Sequence, residues 1–320
     1  MKAAVVSRFG APPCFGEFED PVAGDGEVLV DVSAAGFHRI VKALASGSHY
    51  GSDSLLPMIP GVDGVGRLED GTRVYFGRVR NPFGTMAERC VTMRRMCLEI
   101  PDGLDDAAVA AMMNPGMSSW GALKERALME PGENVLILGA TGIAGHLAVQ
   151  IARRLGARRV AAAGRNEAAL HELEHLSVDA VIPLGQDRAT VVNALREEIK
   201  EHDTDIVLDY VWGAPAEMAL EAIGEKGLSH ASRRLRFVQV GNSAGPTITL
   251  PAATLRSTGL ELIGSGFGSV SLERIFASLA EFLKEAAREP FESKAKSVPL
   301  SEVESAWNAP DGGERLVFRL

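Results

Sequence analysis

The sequence predicts an α/β protein in two parts: a β-rich, barrel-like catalytic part and a doubly wound parallel sheet. Three observations carry this expectation. In the first third, apolar residues alternate, as at Val28, Val30 and Val32, and so would share one face of a strand. From Asn134 to about Gly264, short and almost wholly apolar strands alternate with helices, the pattern of a parallel sheet covered on both faces. Finally, 320 residues with 46% apolar content suffice for more than one core.

Charge and composition exclude several classes. A net charge of -9 and a pI near 5.4 repel phosphate backbones, so no nucleic-acid partner is expected. Arg233, Arg234 and Arg236 form the one basic cluster, which lacks interleaved aromatics and reads as a solvated turn before a strand. The N-terminal apolar stretch Ala3 to Val6 stops at Arg8, too short for a signal-peptide core, and no run approaches a membrane span. Cys14, Cys90 and Cys97 are an odd number in a long chain, which points to a reducing compartment and a cytoplasmic protein.

Taken in order, the β-rich texture gives way near Asp105 to a helical stretch through Met113. A break is expected at Asn114-Pro115-Gly116, then a second helix from about Ser118 to Leu128. The domain boundary is placed there. Strands follow at Val135 to Leu138, Arg159 to Ala163, Ile206 to Tyr210, Phe237 to Val240 and Leu260 to Ile263, with helices to Leu155 and Leu176 between the first of them. A last long helix, about Ser271 to Glu289, ends at Pro290.

The chemistry is concentrated after the strand Val135-Leu136-Ile137-Leu138. The loop that follows at once contains Gly139, Thr141, Gly142, Ile143, Ala144 and Gly145, and the next helix carries Ile143, Leu147, Ile151 and Leu155 on one stripe. Missing Cβ atoms let such a chain turn tightly and approach a pyrophosphate, while the helix start offers free N–H groups and a favourable dipole. The spacing is G-x-x-G-x-x-G rather than G-x-G-x-x-G. A tight βα turn without a ligand is the alternative, but flanking strand and helix fall where dinucleotide binding requires them.

Cofactor choice is decided at the end of the second strand. There the chain reads Ala163, Gly164, Arg165, Asn166, with no carboxylate for a free adenine ribose. Arg165 could form charge-assisted bonds to a 2′-phosphate, so NADP(H) is the expected cofactor. A solvated arginine beside a helix capped by Asn166 and opened by Glu167 is the competing reading.

These motifs resemble the zinc-independent, quinone oxidoreductase-like branch of the medium-chain dehydrogenase/reductase superfamily, over nearly the whole chain. Pro57 to Gly66 is similar to its proline-and-glycine signature, Asp70 to Val74 to its G-D-R-V strand, and Phe83 to Glu88 to its G-x-x-A-E segment. Asn114 to Trp120 resembles the segment leading into the cofactor domain. Asp209 to Gly213 resembles its D-x-V-G turn, and Val240-Gly241-Asn242 a cofactor-contacting loop.

The resemblance implies a GroES-like catalytic domain over 1–115 and 270–320, a Rossmann NADP(H)-binding domain over 116–269, an active site in the cleft and a homodimer through Leu260 to Ile263. Zinc members of the superfamily hold a catalytic metal with a cysteine near Phe37 and a histidine near Val62, and neither ligand is present here. The cysteines also lack C-x-x-C spacing, so no metal is expected; His38 and His49 alone make a poor zinc site and read as packed or surface histidines.

A metal-free site suits hydride delivery to a conjugated carbonyl or a quinone. The anion so formed needs a hydrogen-bond donor and a proton. Tyr50 is the first candidate, because Ser48-His49-Tyr50 resembles the segment where this branch places a tyrosine; His49 is the second. Arg78 and Arg80 read as a solvated loop. The resemblance also puts Asn114 and Ser118 at the substrate cleft and Gly241, Asn242 and Gly264 on the cofactor. An alcohol dehydrogenase and a catalytically silent NADPH-binding sensor are the rival functions.

Overall fold

The computed structural model describes residues 1–49, 51–52, 55–224, 233–266, 268–310 and 313–320. The chain opens with strands β1 (Lys2–Val5), β2 (Cys14–Glu17) and β3 (Glu27–Gly36), helix α1 (Arg39–Ala45), and strands β4 (Asp63–Leu68), β5 (Arg73–Gly77), β6 (Arg89–Met93) and β7 (Cys97–Glu99). Helix α2 (Asp106–Gly121) precedes β8 (Asn134–Leu138), α3 (Ile143–Arg154), β9 (Arg159–Gly164), α4 (Glu167–His171), β10 (Ala180–Pro183), α5 (Arg188–Lys200) and β11 (Ile206–Asp209). Then come α6 (Gly213–Ile223), β12 (Arg234–Gln239), α7 (Ala252–Ser257), β13 (Gly259–Gly264), α8 (Leu272–Arg288), β14 (Ala295–Pro299), α9 (Val303–Ala306) and β15 (Arg315–Arg319).

These elements form two compact units, Met1–Asn114 with Ala280–Leu320, and Pro115–Leu279. Both divisions fall inside helices, α2 and α8. The first unit holds a mixed sheet in the order β14-β15-β3-β4-β5-β7, with β6 also on β3, beside the antiparallel pair β1-β2. Ten-residue β3 is its spine, and a register shift between Val32 and Ala34 bends it. Around its end, Phe37 packs 4.7 Å from Trp307 and 5.6 Å from Phe318, ring to ring.

Helix α2 corrects one expectation. No break occurs at Asn114-Pro115-Gly116: the helix runs through Pro115. Proline costs one backbone bond there, and the side-chain hydroxyls of Ser118 (2.7 Å) and Ser119 (3.2 Å) both donate to the Pro115 carbonyl. The turn after Gly121 is π-helical rather than a second α-helix to Leu128, with the Ala127 N–H reaching back five residues to the Ala122 carbonyl.

The second unit is a six-stranded sheet in the order β10-β9-β8-β11-β12-β13, parallel at every pairing. Successive strands from β8 run outward to one side through β9 and β10, and from β11 to the other side. This is the doubly wound order, with a topological switch between β8 and β11. All five β8 residues are buried. The apolar pattern alone placed neither β10 nor α5, although Val191, Val192, Leu195 and Ile199 of α5 are buried in this core.

The basic run also differs from expectation. Arg233 pairs with Asp203 and Asp205, Arg234 pairs with Glu261 of the neighbouring strand, and Arg236 is buried. Arg236 donates to the Ala127 carbonyl at 2.8 Å and pairs with Glu133. These are cross-links within the sheet, not a solvated turn. Among the described residues no helix is long and apolar enough to cross a membrane.

Candidate functional site

In an open parallel sheet a ligand lies beyond the carboxyl ends of the strands at the switch point, because the loops on either side of it turn away in opposite directions. Here that edge is made by the loops after β8, β9, β11, β12 and β13. Gly139 leaves β8 with φ +87°, and a Cβ there would stand 2.8 Å from Val211 Cγ1 in the loop after β11. A Cβ on Gly145, in the first turn of α3, would meet the Gly139 carbonyl at 2.2 Å. The turn and the helix start thus close on each other as only glycine allows.

Gly142 precedes α3 in extended conformation and supplies no side-chain cap. The first-turn N–H groups of Ile143, Ala144 and Gly145 therefore face outward without helical acceptors, and the α3 dipole adds partial positive charge. A pyrophosphate fits this donor set. Across the turn, a Cβ on Gly164 would lie 2.8 Å from Thr141 Cγ2, so the end of β9 presses against the same loop.

Beyond Gly164, Arg165 is exposed and has no carboxylate partner among the described residues. The Asn166 side chain accepts the Ala169 N–H at 3.2 Å and so caps α4, while Glu167 is exposed within its first turn. On the other flank, a Cβ on Gly241 would stand 2.6 Å from the Tyr210 carbonyl, whereas Gly264 has open space around it. Trp212, Gln239, Asn242, Pro246, Leu262 and Gly264 line a depression at the ends of β12 and β13.

Sequence reasoning missed how the loop after β11 is built. Buried Asp209 accepts the backbone N–H of Val211 at 2.8 Å and of Trp212 at 3.0 Å. That grip holds Trp212 at φ +55°, ψ -156°, a region almost reserved for glycine and a cost of roughly 1–3 kcal/mol. The only sequence signal was the D-x-V-G resemblance. Tyr210, half-buried, shares a 2.7 Å hydrogen bond with Ser119 of α2. Its hydroxyl is pushed up to about 12, chiefly by burial.

Of the remaining expected residues, Asn114 and Ser118 sit one turn apart on α2, both half-buried. His49 is half-buried, and its Nδ1 accepts the Gly51 N–H at 3.0 Å. Tyr50 lies outside the described residues. His38 is buried. Cys14 is exposed, while burial raises the thiols of Cys90 and of Cys97, the latter to about 11, which makes both poor metal ligands and nucleophiles.

Comparison with known proteins fits this geometry. A probable NADPH-dependent quinone reductase, tdiC, of Emericella nidulans is 30% identical over 99% of both chains. This chain belongs to the medium-chain dehydrogenase/reductase family, in its quinone oxidoreductase-like branch. The human quinone oxidoreductase is 28% identical to this family member over 76% of the chain and 73% of the relative. The crystal structure of the Thermus thermophilus quinone oxidoreductase, also solved in complex with NADPH, superposes with a TM-score of 0.82 at 27% identity over the full length of both. The family model described as zinc-binding dehydrogenase matches residues 144–285, a segment that contains neither Phe37 nor Val62.

Asp209 gives the site a pH signature. Burial lifts its carboxyl from 3.8 to about 6 against the pull of the Trp212 and Val211 N–H groups. The stability contributed by the neutral form is complete below pH 3.8 and is lost as pH rises through about 6, an effect of roughly 3 kcal/mol. Asp209→Asn, which stays neutral and can still accept an N–H, should therefore gain on the wild type by about that much between pH 4 and pH 7.5. Urea denaturation at the two pH values measures this. A difference that does not change with pH contradicts the assignment.

Proposed function

We propose that this chain is an NADPH-dependent reductase that passes hydride to a quinone or an α,β-unsaturated carbonyl without a metal. The observation that carries the reading is the edge of the parallel sheet. A Cβ-free turn opens onto an uncapped helix start, and the neighbouring strand ends in an arginine, unpaired among the described residues, where a carboxylate would serve NAD. The names of the fungal and human relatives support the substrate class. Phe37 and Val62, which bear no metal-binding atoms, support the metal-free reading.

Gly139, Thr141, Gly142 and the N–H groups of Ile143, Ala144 and Gly145 would hold the pyrophosphate. Gly164, Arg165 and Asn166 would hold the phosphorylated ribose, and Gly241, Asn242 and Gly264 the nicotinamide end. The bound cofactor supplies hydride. Asn114 and Ser118 are proposed to line the substrate cleft, with Tyr50, or His49, donating a hydrogen bond to the oxygen on which negative charge develops. Free thiols at all three cysteines suit the cytoplasm. A second copy is proposed to pair along β13, an edge strand with Leu262 41% exposed; a monomeric mass by light scattering refutes that.

The test follows absorbance of NADPH and of NADH with a panel of quinones and enones in the presence of EDTA, for the wild type and Arg165→Ala. NADPH-selective turnover should survive chelation. Arg165→Ala should lose NADPH affinity by about ten- to a hundredfold, the worth of charge-assisted bonds to a phosphate, and leave NADH little changed. Activity lost to EDTA, or an unchanged cofactor preference, contradicts the reading. Tight NADPH binding with no turnover on any conjugated acceptor replaces it with a silent NADPH-binding protein.

A further inference from the structure

The loop after β11 holds a tryptophan in backbone space that suits glycine. Trp212 sits at φ +55° and ψ -156°, and Gly213 follows at φ +55° with its missing Cβ 2.7 Å from the Ala244 carbonyl. The loop after β12 locks this geometry from the other side. The N–H groups of Val240 and Gly241 both donate to the Asp209 carbonyl, at 2.8 and 3.1 Å, and the Ala244 N–H donates to the Val211 carbonyl at 2.7 Å. Two loops and a buried carboxylate thus keep one side chain where its backbone would not go by itself. A strained residue persists only where its surroundings over-determine it, and such residues cluster at ligand sites.

The indole divides its surface between the core and solvent. It packs toward buried Phe237, with ring centroids 6.4 Å apart and 65° between the planes. The half-buried ring system also lines the depression at the ends of β12 and β13, about 320 Å³ in volume and open to solvent. Pro246 and Leu262 add apolar wall, and Gln239 and Asn242 add two side-chain amides. Gln239 donates to the Gly241 carbonyl at 3.0 Å, which leaves its amide oxygen as an acceptor. The Asn242 amide has no hydrogen-bond partner among the described residues.

Gly264, which also lines the depression, is not demanded by packing. A Cβ there would meet nothing within 4 Å, and its φ lies outside the left-handed range. The space beside it is open. Apolar walls, one of them a flat aromatic, with two amides among them match a planar ring that carries a primary carboxamide. The depression also adjoins the pyrophosphate turn, because Val211, next to Trp212, stands 2.8 Å from the missing Cβ of Gly139. All of these residues belong to the second unit.

We propose that this depression seats the nicotinamide ring, with the Trp212 indole as the surface the ring lies against and the amides of Gln239 and Asn242 as partners of its carboxamide. The assignment rests on the reductase reading above and deepens it, adding Trp212 and Gln239 to the residues that meet the redox-active end of the cofactor. Asp209 acts through Trp212: its grip on the Val211 and Trp212 N–H groups fixes the indole, which makes it a positioning residue.

Titration calorimetry tests this by comparing NADPH with 2′-phosphoadenosine 5′-diphosphoribose, the same molecule without the nicotinamide ring. The proteins are the wild type, Trp212→Leu, Trp212→Phe and Gly264→Val. The wild type should favour NADPH over the ring-less analogue by about tenfold. Trp212→Leu should lose most of that preference and Trp212→Phe, which keeps a ring, less of it, while both bind the analogue as the wild type does. Gly264→Val places a side chain in open space without a clash, so it should fold and lose the preference too. The fluorescence of bound NADPH is a second readout: enhanced and shifted to shorter wavelength in the wild type, and close to that of free NADPH in Gly264→Val.

A folded Trp212→Leu or Gly264→Val that keeps the wild-type ratio of the two affinities overturns the proposal, as does a wild type that binds both ligands equally. If Trp212→Leu does not fold, Gly264→Val decides alone. A Gly264→Val protein that keeps the ratio but changes its mass by light scattering gives the depression to a second copy instead. A wild type that binds neither ligand is a separate failure, because it removes the reductase reading itself and this assignment with it.

Discussion

The nucleotide-facing edge depends on one close approach: the missing Cβ of Gly139 against Val211. With φ at +87° and a side-chain neighbour 2.8 Å from where its Cβ would be, this position admits only glycine without rebuilding two loops. Because β8 and β11 are neighbours in a fully parallel sheet, their outgoing loops start side by side and would collide if either were bulkier. Their close packing brings the start of α3, the grip of Asp209 on the next loop, and the Tyr210 carbonyl beneath Gly241 into one small region.

The two units bury charge for different ends. In the second, Arg236 is paired with Glu133 and bonded to a carbonyl, so its burial cross-links β12 to the segment before β8. Breaking such a pair is costlier than never having built it, because the survivor stays desolvated. Asp209 is buried without a cation and is satisfied by backbone N–H groups alone, which is why its carboxyl is lifted to about 6 rather than lowered. In the first unit, buried His38 Nε2 lies 3.0 Å from Asp63 Oδ1, and the other oxygen of that carboxylate accepts the Tyr75 hydroxyl.

How much of this was legible depends on whether the signal was local. The run Val135 to Leu138 followed at once by Gly139 carries its own strand, turn and helix start, and the doubly wound sheet followed from repeats of that pattern. Asn166 as a cap was readable for the same reason. The continuity of α2 was not: Pro115 normally ends a helix, yet the backbone runs on through it to Gly121. The arginines at 233, 234 and 236 looked like a solvated turn because their partners, Asp205, Glu261 and Glu133, lie 28, 27 and 103 residues away. His38, Asp63 and Tyr75 share no motif at all. Only the pairing of β3 with β4 and β4 with β5 brings them together.

The central claim is that a phosphorylated dinucleotide lies across the carboxyl ends of this sheet, and amide hydrogen exchange with and without NADPH tests it most directly. NADPH should slow exchange in residues 139–146, 164–166 and 209–213, with NADH giving weaker protection at 164–166. NADPH that binds while the amides of 139–146 exchange as fast as in the free protein would contradict the account.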